Sequence, residues 1–426
     1  MSAERYESTA STLHPLKVEQ LIYPDGRQRQ IEIATSEVGV AGVAAQWGFQ
    51  HSEADWNRYL LAQNDPEATA AAKVRGFPHV FQSMALPSQR LEREVDTAAK
   101  ISLELETARA VIMKLLEQNG IRPNQIDFLT LGTGSPLSAQ YALDLAHEVG
   151  LKHISTNMTY EVNEACNSGG QALWRAATLP EFQGLTGINF GIEGWTRLLD
   201  GNKPFLAQAD PLSLKTFADG MAATIIQPGV THRPVTHFPL TVNYGKQTIV
   251  LNSYPWVIPD EDHALDGNVP YLQYMTQGGP WFEQVDRKEM IRLNQPVGRS
   301  QIEMHGEATA RGFLGPLVPH IEAVWKQFQQ ENPGARLAHF VIHHASPGVN
   351  GIAERKVQRM GIAETVPFVL EGGNSSSSTM LRAYVRLMRE FKPEDYVMIV
   401  SFGAGMSFTV FIMQMGSFDR SLLHNH

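Results

Sequence analysis

The chain of 426 residues contains one cysteine, Cys166, in a segment suited to nucleophilic chemistry. Small residues follow it, including Gly169 and Gly170, which is typical of a strand-to-helix junction that a substrate carbonyl or a second backbone can approach. Unpaired amides at a helix start favour the thiolate, the nucleophilic form of cysteine. A lone cysteine is otherwise a packing residue, but this local sequence favours a reactive thiol.

Three later segments carry groups that suit acyl chemistry. A buried strand is predicted to end at His343 and His344, and a glycine turn presents Asn374 ahead of a helix. Further along, Gly403 and Gly405 expose backbone amides that can bind an oxyanion. Each pattern is common alone. Their occurrence together, in this order after a single cysteine, marks them as one candidate site.

Composition excludes several classes of protein. With 43% hydrophobic and 19% charged residues, the chain can bury a large core in two or more lobes, which excludes a disordered or fibrous protein. Its formal charge of -9 argues against nucleic acid or an anionic membrane as a partner. One cysteine excludes an intramolecular disulfide and a multi-cysteine metal site. Residues 1–20 lack a secretory signal, so we expect a cytoplasmic protein.

The uncharged segment 396–418 has the length of a membrane span, but its pattern is different. Glycines 403 and 405 and several hydroxyl residues interrupt it, and the apolar pieces on either side have strand length. We therefore expect two buried strands around a glycine turn.

The elements that position these residues alternate between strand and helix patterns. Helices are predicted at 97–120, 138–149, after Cys166, at 308–330, from about 351, and at 379–391. Strands are predicted at 126–131, 153–159, 187–191, 222–227, 338–342 and around 402–406. This alternation predicts an α/β layered fold with a mainly parallel sheet. Between the halves, 232–299 has weak periodicity and is expected to be a cap or a dimer element.

Together, the motifs resemble those of the thiolase-like superfamily and, within it, ketoacyl synthase III. The similar stretches are Ala-Cys-Asn-Ser-Gly at 165–169, Phe-Ala-Asp-Gly at 217–220, Met-His-Gly at 304–306, His-His-Ala at 343–345, Gly-Asn-Ser-Ser at 373–376 and Phe-Gly-Ala-Gly at 402–405. The matches cover roughly 97–229 and 301–415. The resemblance implies a thiolase-like five-layered αβαβα fold of two similar halves.

The resemblance also implies how the chain is organised. Residues 1–231 would form the half with the nucleophile and an N-terminal extension, 232–299 a cap or insertion, and 300–426 the half with histidine and asparagine. Members of the family pair as homodimers through a strand of the central sheet. Here the segment 153–159, just before Cys166, is the expected dimer strand, since an edge strand is better paired than exposed.

The chemistry that the resemblance implies is a Claisen condensation of two acyl thioesters. Cys166 would accept an acyl group from a thioester of acyl carrier protein or coenzyme A, while the amides of Cys166 and Ala404 hold the oxyanion. His343, chosen over His344 by alignment of the following alanine, and Asn374 would stabilise the enolate of the second thioester. Gly403 and Gly405 would contribute to the substrate site. No metal and no other cofactor is required.

Glu164 is the main departure from the family pattern, because a small residue is usual there; Ile342 and Ser346 are smaller ones. If 164–166 is extended, Glu164 and Cys166 face one cavity, and the carboxylate is a candidate general base. This feature resembles ketosynthase/cyclases of the cyclohexanedione, dialkylresorcinol or stilbene type. The alternative is a carboxylate held by a neighbouring arginine or by a backbone amide.

Other functions are weighed against the condensing enzyme. The sequence around Cys166 is also similar to hydroxymethylglutaryl-CoA synthase, which lacks the His-His-Ala stretch. A non-catalytic ketosynthase partner subunit would have lost its cysteine, histidine or asparagine, and the chain keeps all three. A metal site of His305, His343 and His344 lacks a recognisable ligand spacing.

Overall fold

A computed structural model gives the fold of the chain. It describes residues 17–22, 28–33, 38–46, 49–51, 61–62, 64, 66–73, 81–83, 97–138, 140–194, 216–228, 233–241, 306–362, 374–387, 390–392, 394–403 and 407–415.

The described elements are numbered in chain order. The strands are β1 Lys17–Ile22, β2 Gln28–Ile33, β3 Val38–Gln46, β4 Phe49–His51, β5 Phe81–Ser83, β6 Phe128–Gly132, β7 Thr159–Val162, β8 Gly187–Glu193, β9 Gly220–Pro228, β10 Arg233–Thr241, β11 Leu337–Ile342, β12 Tyr396–Gly403 and β13 Ser407–Gln414. The α-helices are α1 Pro66–Lys73, α2 Thr97–Gln118, α3 Tyr141–Glu148, α4 Ser168–Thr178, α5 Gly306–Glu331, α6 Pro347–Arg359 and α7 Ser377–Leu387.

Two larger sheets organise these elements. The first has the order β3-β9-β8-β6-β7, and the second has the order β10-β13-β12-β11. Strand β6 is parallel to both β7 and β8, and β11 is parallel to β12, whereas β9 and β13 are antiparallel to β8 and β12. The sheets are therefore mixed rather than mainly parallel. The short link between β12 and β13 allows only an antiparallel pair, because a parallel pair needs a long crossover.

The helices form three layers that enclose the two sheets. Helices α2 and α3 pack on the outer face of the first sheet, α4 and α7 lie between the sheets, and α5 and α6 cover the outer face of the second. Alternation along the strands explains this, because Leu129 and Leu131 face α2 and α3 while Phe128 faces the central helices. The expected αβαβα order of five layers is confirmed.

The two halves repeat one arrangement of elements. In each, an outer helix leads to a strand, a short outer helix, a central helix and a closing antiparallel pair, β8 with β9 and β12 with β13. Within the expected cap 232–299, the structure describes β10, which pairs with β13 in the second sheet. The division into three parts stays a prediction.

Most predicted elements lie where the sequence placed them, with one correction. The expected strand at 153–159 is wrong, because a 3₁₀ turn occupies Thr156–Met158 and the strand β7 begins at Thr159. Hydroxyl and amide side chains favour turns there, and Thr159 Oγ1 donates to the carbonyl of Thr156 at 2.9 Å. The buried strand pair expected within 396–418 is confirmed as β12 and β13. Within the described residues, no helix is long and apolar enough to span a membrane.

The central helices approach each other closely at their first turns. A Cβ placed on Gly169 of α4 would lie 2.0 Å from the carbonyl oxygen of Ser377 on α7, and one on Gly170 would lie 2.4 Å from Cβ of Ser401 on β12. Neither position has room for a side chain. The contact between the two halves therefore depends on glycine at the start of α4.

We predict that Gly169→Ala lowers the free energy of unfolding by about 1–3 kcal/mol, since the new methyl group collides with backbone that cannot rotate away. Denaturant unfolding followed by tryptophan fluorescence measures it. The matched control is Gly351→Ala within α6, where the nearest neighbour of an added Cβ is the flexible side chain of Arg355 at 3.4 Å. This control should gain up to about 1 kcal/mol of helix propensity. Equal stability of the two variants would contradict the close approach.

The position of β7 generates a prediction about assembly. Among the described strands, β7 pairs with β6 on one side only, and edge strands of this kind are commonly covered. We expect a homodimer that pairs through β7, so light scattering at micromolar concentration should give about twice the chain mass of 47.3 kDa. A mass of one chain would contradict it.

Candidate active site

Cys166 lies in a tight turn between β7 and α4. Residues Ala165–Asn167 form a single 3₁₀ turn, and α4 begins at Ser168. The Oγ of Ser168 accepts a hydrogen bond from the amide of Glu164 at 2.6 Å and donates to the carbonyl of Ala165 at 2.7 Å. Ala165 has a φ of 48°, a strained conformation for a residue with a side chain, and such strain clusters at functional sites. The expected junction of strand and helix is confirmed.

Strand β12 of the second half packs against this turn. Oγ of Ser401 donates to the carbonyl of Cys166 at 3.3 Å. A Cβ on Gly403 would lie 2.3 Å from the carbonyl oxygen of Glu164 and 2.9 Å from the amide nitrogen of Cys166. Gly403 is therefore required for the two backbones to approach. Ala404 and Gly405 lie outside the described residues, so the oxyanion hole and the substrate contacts stay predictions.

Asn374 reaches the site from the second half but is held by the first. Its carbonyl accepts from the amide of Ala218 at 2.8 Å, and its amide donates to the carbonyl of Thr216 at 2.9 Å. Phe217 forms an isolated parallel bridge with it. The Phe-Ala-Asp-Gly stretch found in the sequence thus has a structural role, because its first residues fix the backbone of Asn374.

The side-chain amide of Asn374 has a defined orientation. Its Oδ1 accepts from the amide of Ser376 at 2.8 Å and from the hydroxyl of Thr379 at 3.2 Å, and the Cys166 thiol lies 4.0 Å away from the same oxygen. Its Nδ2 points the other way, to the carbonyl of Ala345 at a long 3.4 Å. The oxygen therefore faces the thiol, and the donor group faces the segment that follows β11.

His343 and His344 follow β11 and are both buried. The rings of His343 and Phe402 pack edge to face, with their centroids 5.0 Å apart. Among the described residues, neither ring nitrogen of His343 has a hydrogen-bond partner. Burial lowers the pKa of His343 to about 3, with a further contribution from His344. Burial also lowers the pKa of His344 to about 3, and the charge of Arg382 adds to it. Both rings are therefore neutral near neutral pH.

The thiol itself is less acidic than its position suggested. The pKa of Cys166 is raised to about 12, mainly by burial; the negative charge of Glu193 acts in the same direction, and Ser376 and Asn374 act in the opposite direction. The expectation that the helix start favours the thiolate is therefore wrong for the free protein. Although the residue keeps some exposed surface, desolvation of the sulfur outweighs the helix dipole.

Glu164 does not lie in an extended segment, contrary to expectation. Its backbone has φ −112° and ψ 46° and is followed directly by the turn, so alternation does not bring its carboxylate beside the thiol. Its Oε2 accepts from the side-chain Nδ2 of Asn167 at 2.9 Å, a different donor from the arginine or backbone amide that the alternative named. A general-base role for Glu164 stays a prediction without that geometric support.

Two residues near the thiol were not identified from the sequence, Glu193 and Ser376. Glu193 ends β8 with no exposed surface, and its carboxylate accepts from the amide of Gly134, from Oγ of Ser135 at 2.6 Å and from the amide of Ser377 at 3.4 Å. An acidic residue at the end of a mostly apolar strand was the available signal. For Ser376, the run of serines hid which hydroxyl faces the thiol.

The alternative reading is a metal site of His305, His343 and His344. Among the described residues, no group of three or more histidine, cysteine, aspartate or glutamate side chains is arranged to hold an ion. His305 lies outside those residues.

The neutral histidines predict how stability depends on pH. In the unfolded chain, a histidine protonates near 6.5, but in the folded chain these two protonate only near 3. The unfolded state thus binds more protons between these values, and the free energy of unfolding falls as pH drops below about 6.5. In denaturant series at about pH 7, 6 and 5, His343→Gln should reduce this slope by up to about 1.4 kcal/mol per pH unit. An unchanged slope would show that the ring titrates normally.

Comparisons with known proteins agree with this architecture. No protein-family model matches the chain, and no curated protein sequence does. A 3-oxoacyl-(acyl carrier protein) synthase III from Pseudomonas aeruginosa is similar in structure, with 14% identity, 89% of this chain and 98% of that chain covered, and a TM-score of 0.60. A fungal type III polyketide synthase is 15% identical, with 89% of this chain and 100% of that chain covered and a TM-score of 0.61. A priming β-ketosynthase of a polyketide pathway is 20% identical, with 90% of this chain and 97% of that chain covered and a TM-score of 0.58. The chain has the α/β thiolase-like fold of these structures.

Proposed function

We propose that the chain is a condensing acyltransferase that joins two acyl thioesters through an acyl group on Cys166. The observation that carries the proposal is the meeting of Cys166 and Asn374, from opposite halves, with the thiol 4.0 Å from Oδ1 and the amide donor turned towards the carbonyl of Ala345. The fold supports it, since similar structures include a 3-oxoacyl-(acyl carrier protein) synthase and polyketide synthases. The thioesters are those of acyl carrier protein or coenzyme A.

In the first step, the sulfur of Cys166 attacks the carbonyl carbon of the first thioester. The carrier thiol leaves with the proton that Cys166 gives up, and the acyl group stays on the enzyme. The amide of Cys166, with that of Ala404, donates to the tetrahedral oxyanion. Strain at Ala165 and the support from Ser401 hold the turn in place for this step.

In the second step, an α-proton of the second thioester passes to a base, for which Glu164 is the predicted candidate, and the electron pair of the broken carbon–hydrogen bond turns the thioester carbonyl into an enolate. Nδ2 of Asn374 is held by weak contact only and is available to donate to that oxygen. The neutral ring of His343, with both nitrogens open, supplies the other donor. The enolate carbon attacks the acyl carbonyl, the carbon–sulfur bond breaks, and Cys166 is released. The proton returns to the sulfur of Cys166 when that thiolate is released. Ring closure of the product, as in ketosynthase/cyclases, is a further possibility of the same site.

The proposal predicts a separation of loading from condensation. Wild-type protein incubated with an acyl thioester should gain the acyl mass in intact mass spectrometry, and Cys166→Ala should not. His343→Ala and Asn374→Ala should still load, because their donors act on the second thioester. With both thioesters present, product formation by these two variants should fall by about 10²–10³-fold, as expected for loss of one oxyanion donor.

Equal labelling of wild type and Cys166→Ala would end the proposal and would favour a non-catalytic subunit. The matched control for the histidine is His344→Ala, which alters a buried ring at the adjacent position. If that variant loses condensation while His343→Ala keeps it, the enzyme class stands and the two histidines exchange roles.

A further inference from the structure

We propose that Ser376 is a further catalytic residue, whose hydroxyl donates a hydrogen bond to the sulfur of Cys166 as the thiolate forms and thereby opposes the charge of Glu193. The inference rests on the proposed function, since it concerns the nucleophile of that reaction. It assigns a role to one serine among four consecutive ones, 375 to 378.

Geometry separates Ser376 from the other serines of the run. Ser375 contacts Arg382, Ser377 donates to the carbonyl of Ile192, and Ser378 donates to Ser375. Ser376 is buried as well, but among the described residues no group makes a hydrogen bond of good geometry with its Oγ. A buried hydroxyl without a partner is costly, so a transient partner is expected. The Cys166 thiol is the candidate partner, because Ser376 lowers the pKa of that thiol and its Oγ lies beside the turn that carries it.

The backbone of Ser376 is held so that its side chain faces the cysteine turn. Its φ is 46°, a conformation that costs free energy for a residue with a side chain, and its amide donates to Oδ1 of Asn374, the oxygen nearest the thiol. A point at the missing Cβ of Gly134 lies 3.3 Å from Oγ of Ser376, 3.3 Å from Cα of Ala165 and 2.9 Å from Oε1 of Glu193. The hydroxyl, the turn and the carboxylate therefore surround one small volume.

Glu193 and Ser376 act on the sulfur in opposite directions. The carboxylate repels a thiolate, whereas the hydroxyl stabilises the thiolate by donating a hydrogen bond to its sulfur. Glu193 cannot be removed at no cost, because it accepts from the amide of Ser377 at the start of α7, where a negative charge is favourable. The hydroxyl of Ser376 thus offsets a charge that the fold uses to hold α7.

Other charged and titratable side chains occur on the elements around the turn. They are Glu164, Asp219, His343, His344 and Arg382. Glu164 is bound to Asn167, the histidines are neutral, and Arg382 donates to Ser375. Glu193 is the carboxylate whose charge acts on the thiol.

The test is the rate at which iodoacetamide alkylates Cys166 between about pH 7 and 10, where the rate follows the thiolate fraction. Sulfur bonds to the probe carbon, iodide leaves, and the thiol proton goes to solvent. Ser376→Ala and Ser376→Gly should each slow alkylation about tenfold at a fixed pH, the loss expected for one hydrogen bond to a charged group. Glu193→Gln should accelerate it by a similar factor.

Two comparisons keep the outcome decisive. Ser378→Ala removes a buried hydroxyl from the same run and should alkylate at the wild-type rate. Glycine adopts a φ of 46° without strain, so Ser376→Gly folds even if the alanine variant does not. Wild-type alkylation of folded Ser376→Gly, or equal slowing in Ser378→Ala, would overturn the proposal. Slowing in Glu193→Gln would likewise overturn its electrostatic part.

The measurement is independent of acyl transfer because no thioester is present. If alkylation slows in Ser376→Gly and accelerates in Glu193→Gln, but the wild-type protein never accepts an acyl group, the proposed function is refuted and the inference stands. If the wild-type protein condenses thioesters and Ser376→Gly is alkylated at the wild-type rate, the proposed function stands and the inference is refuted.

Discussion

The close backbone contact between the two halves is the constraint on which the site depends. Gly169 admits the carbonyl of Ser377, and Gly403 admits the turn that carries Cys166. Protein interiors are close-packed, so a methyl group at either position would push the halves apart. That displacement would move Asn374 away from the thiol, because Asn374 belongs to the segment leading into α7. Stability and site geometry are therefore set by the same contacts.

Polar groups at this contact satisfy one another across the halves. The backbone of Asn374 pairs with Thr216 and Ala218, and the carboxylate of Glu193 bonds the amide of Ser377. Buried polar groups need such partners, and these partners come from segments far apart in the chain. The result is a rigid frame around a thiol that burial keeps protonated. A protonated thiol is the less reactive form of cysteine, so the proposed acyl transfer has to activate it.

Much of this could be predicted from the sequence, and the reason differs between fold and site. Strands β8 and β12 are buried and mostly apolar, and α2 has clear helical spacing, so the apolar pattern located them. Strand β7 was misplaced because turn-forming residues precede it. Cys166 and Asn374 stand out by residue type within glycine-rich turns. Glu193 and Ser377 are 184 residues apart, so no local pattern shows that the carboxylate reaches α7 or senses the thiol.

The repeated halves explain why the reacting groups meet at this point. Cys166 directly precedes α4, and the segment from Asn374 to Ser376 directly precedes α7, so the two occupy equivalent positions. Each junction contains one residue with a side chain at positive φ, Ala165 at 48° and Ser376 at 46°. Because the first turns of α4 and α7 touch, the positive dipole ends of the two helices lie close together. In the proposed reaction, negative charge on an oxyanion or an enolate at this point would meet the positive ends of both helices.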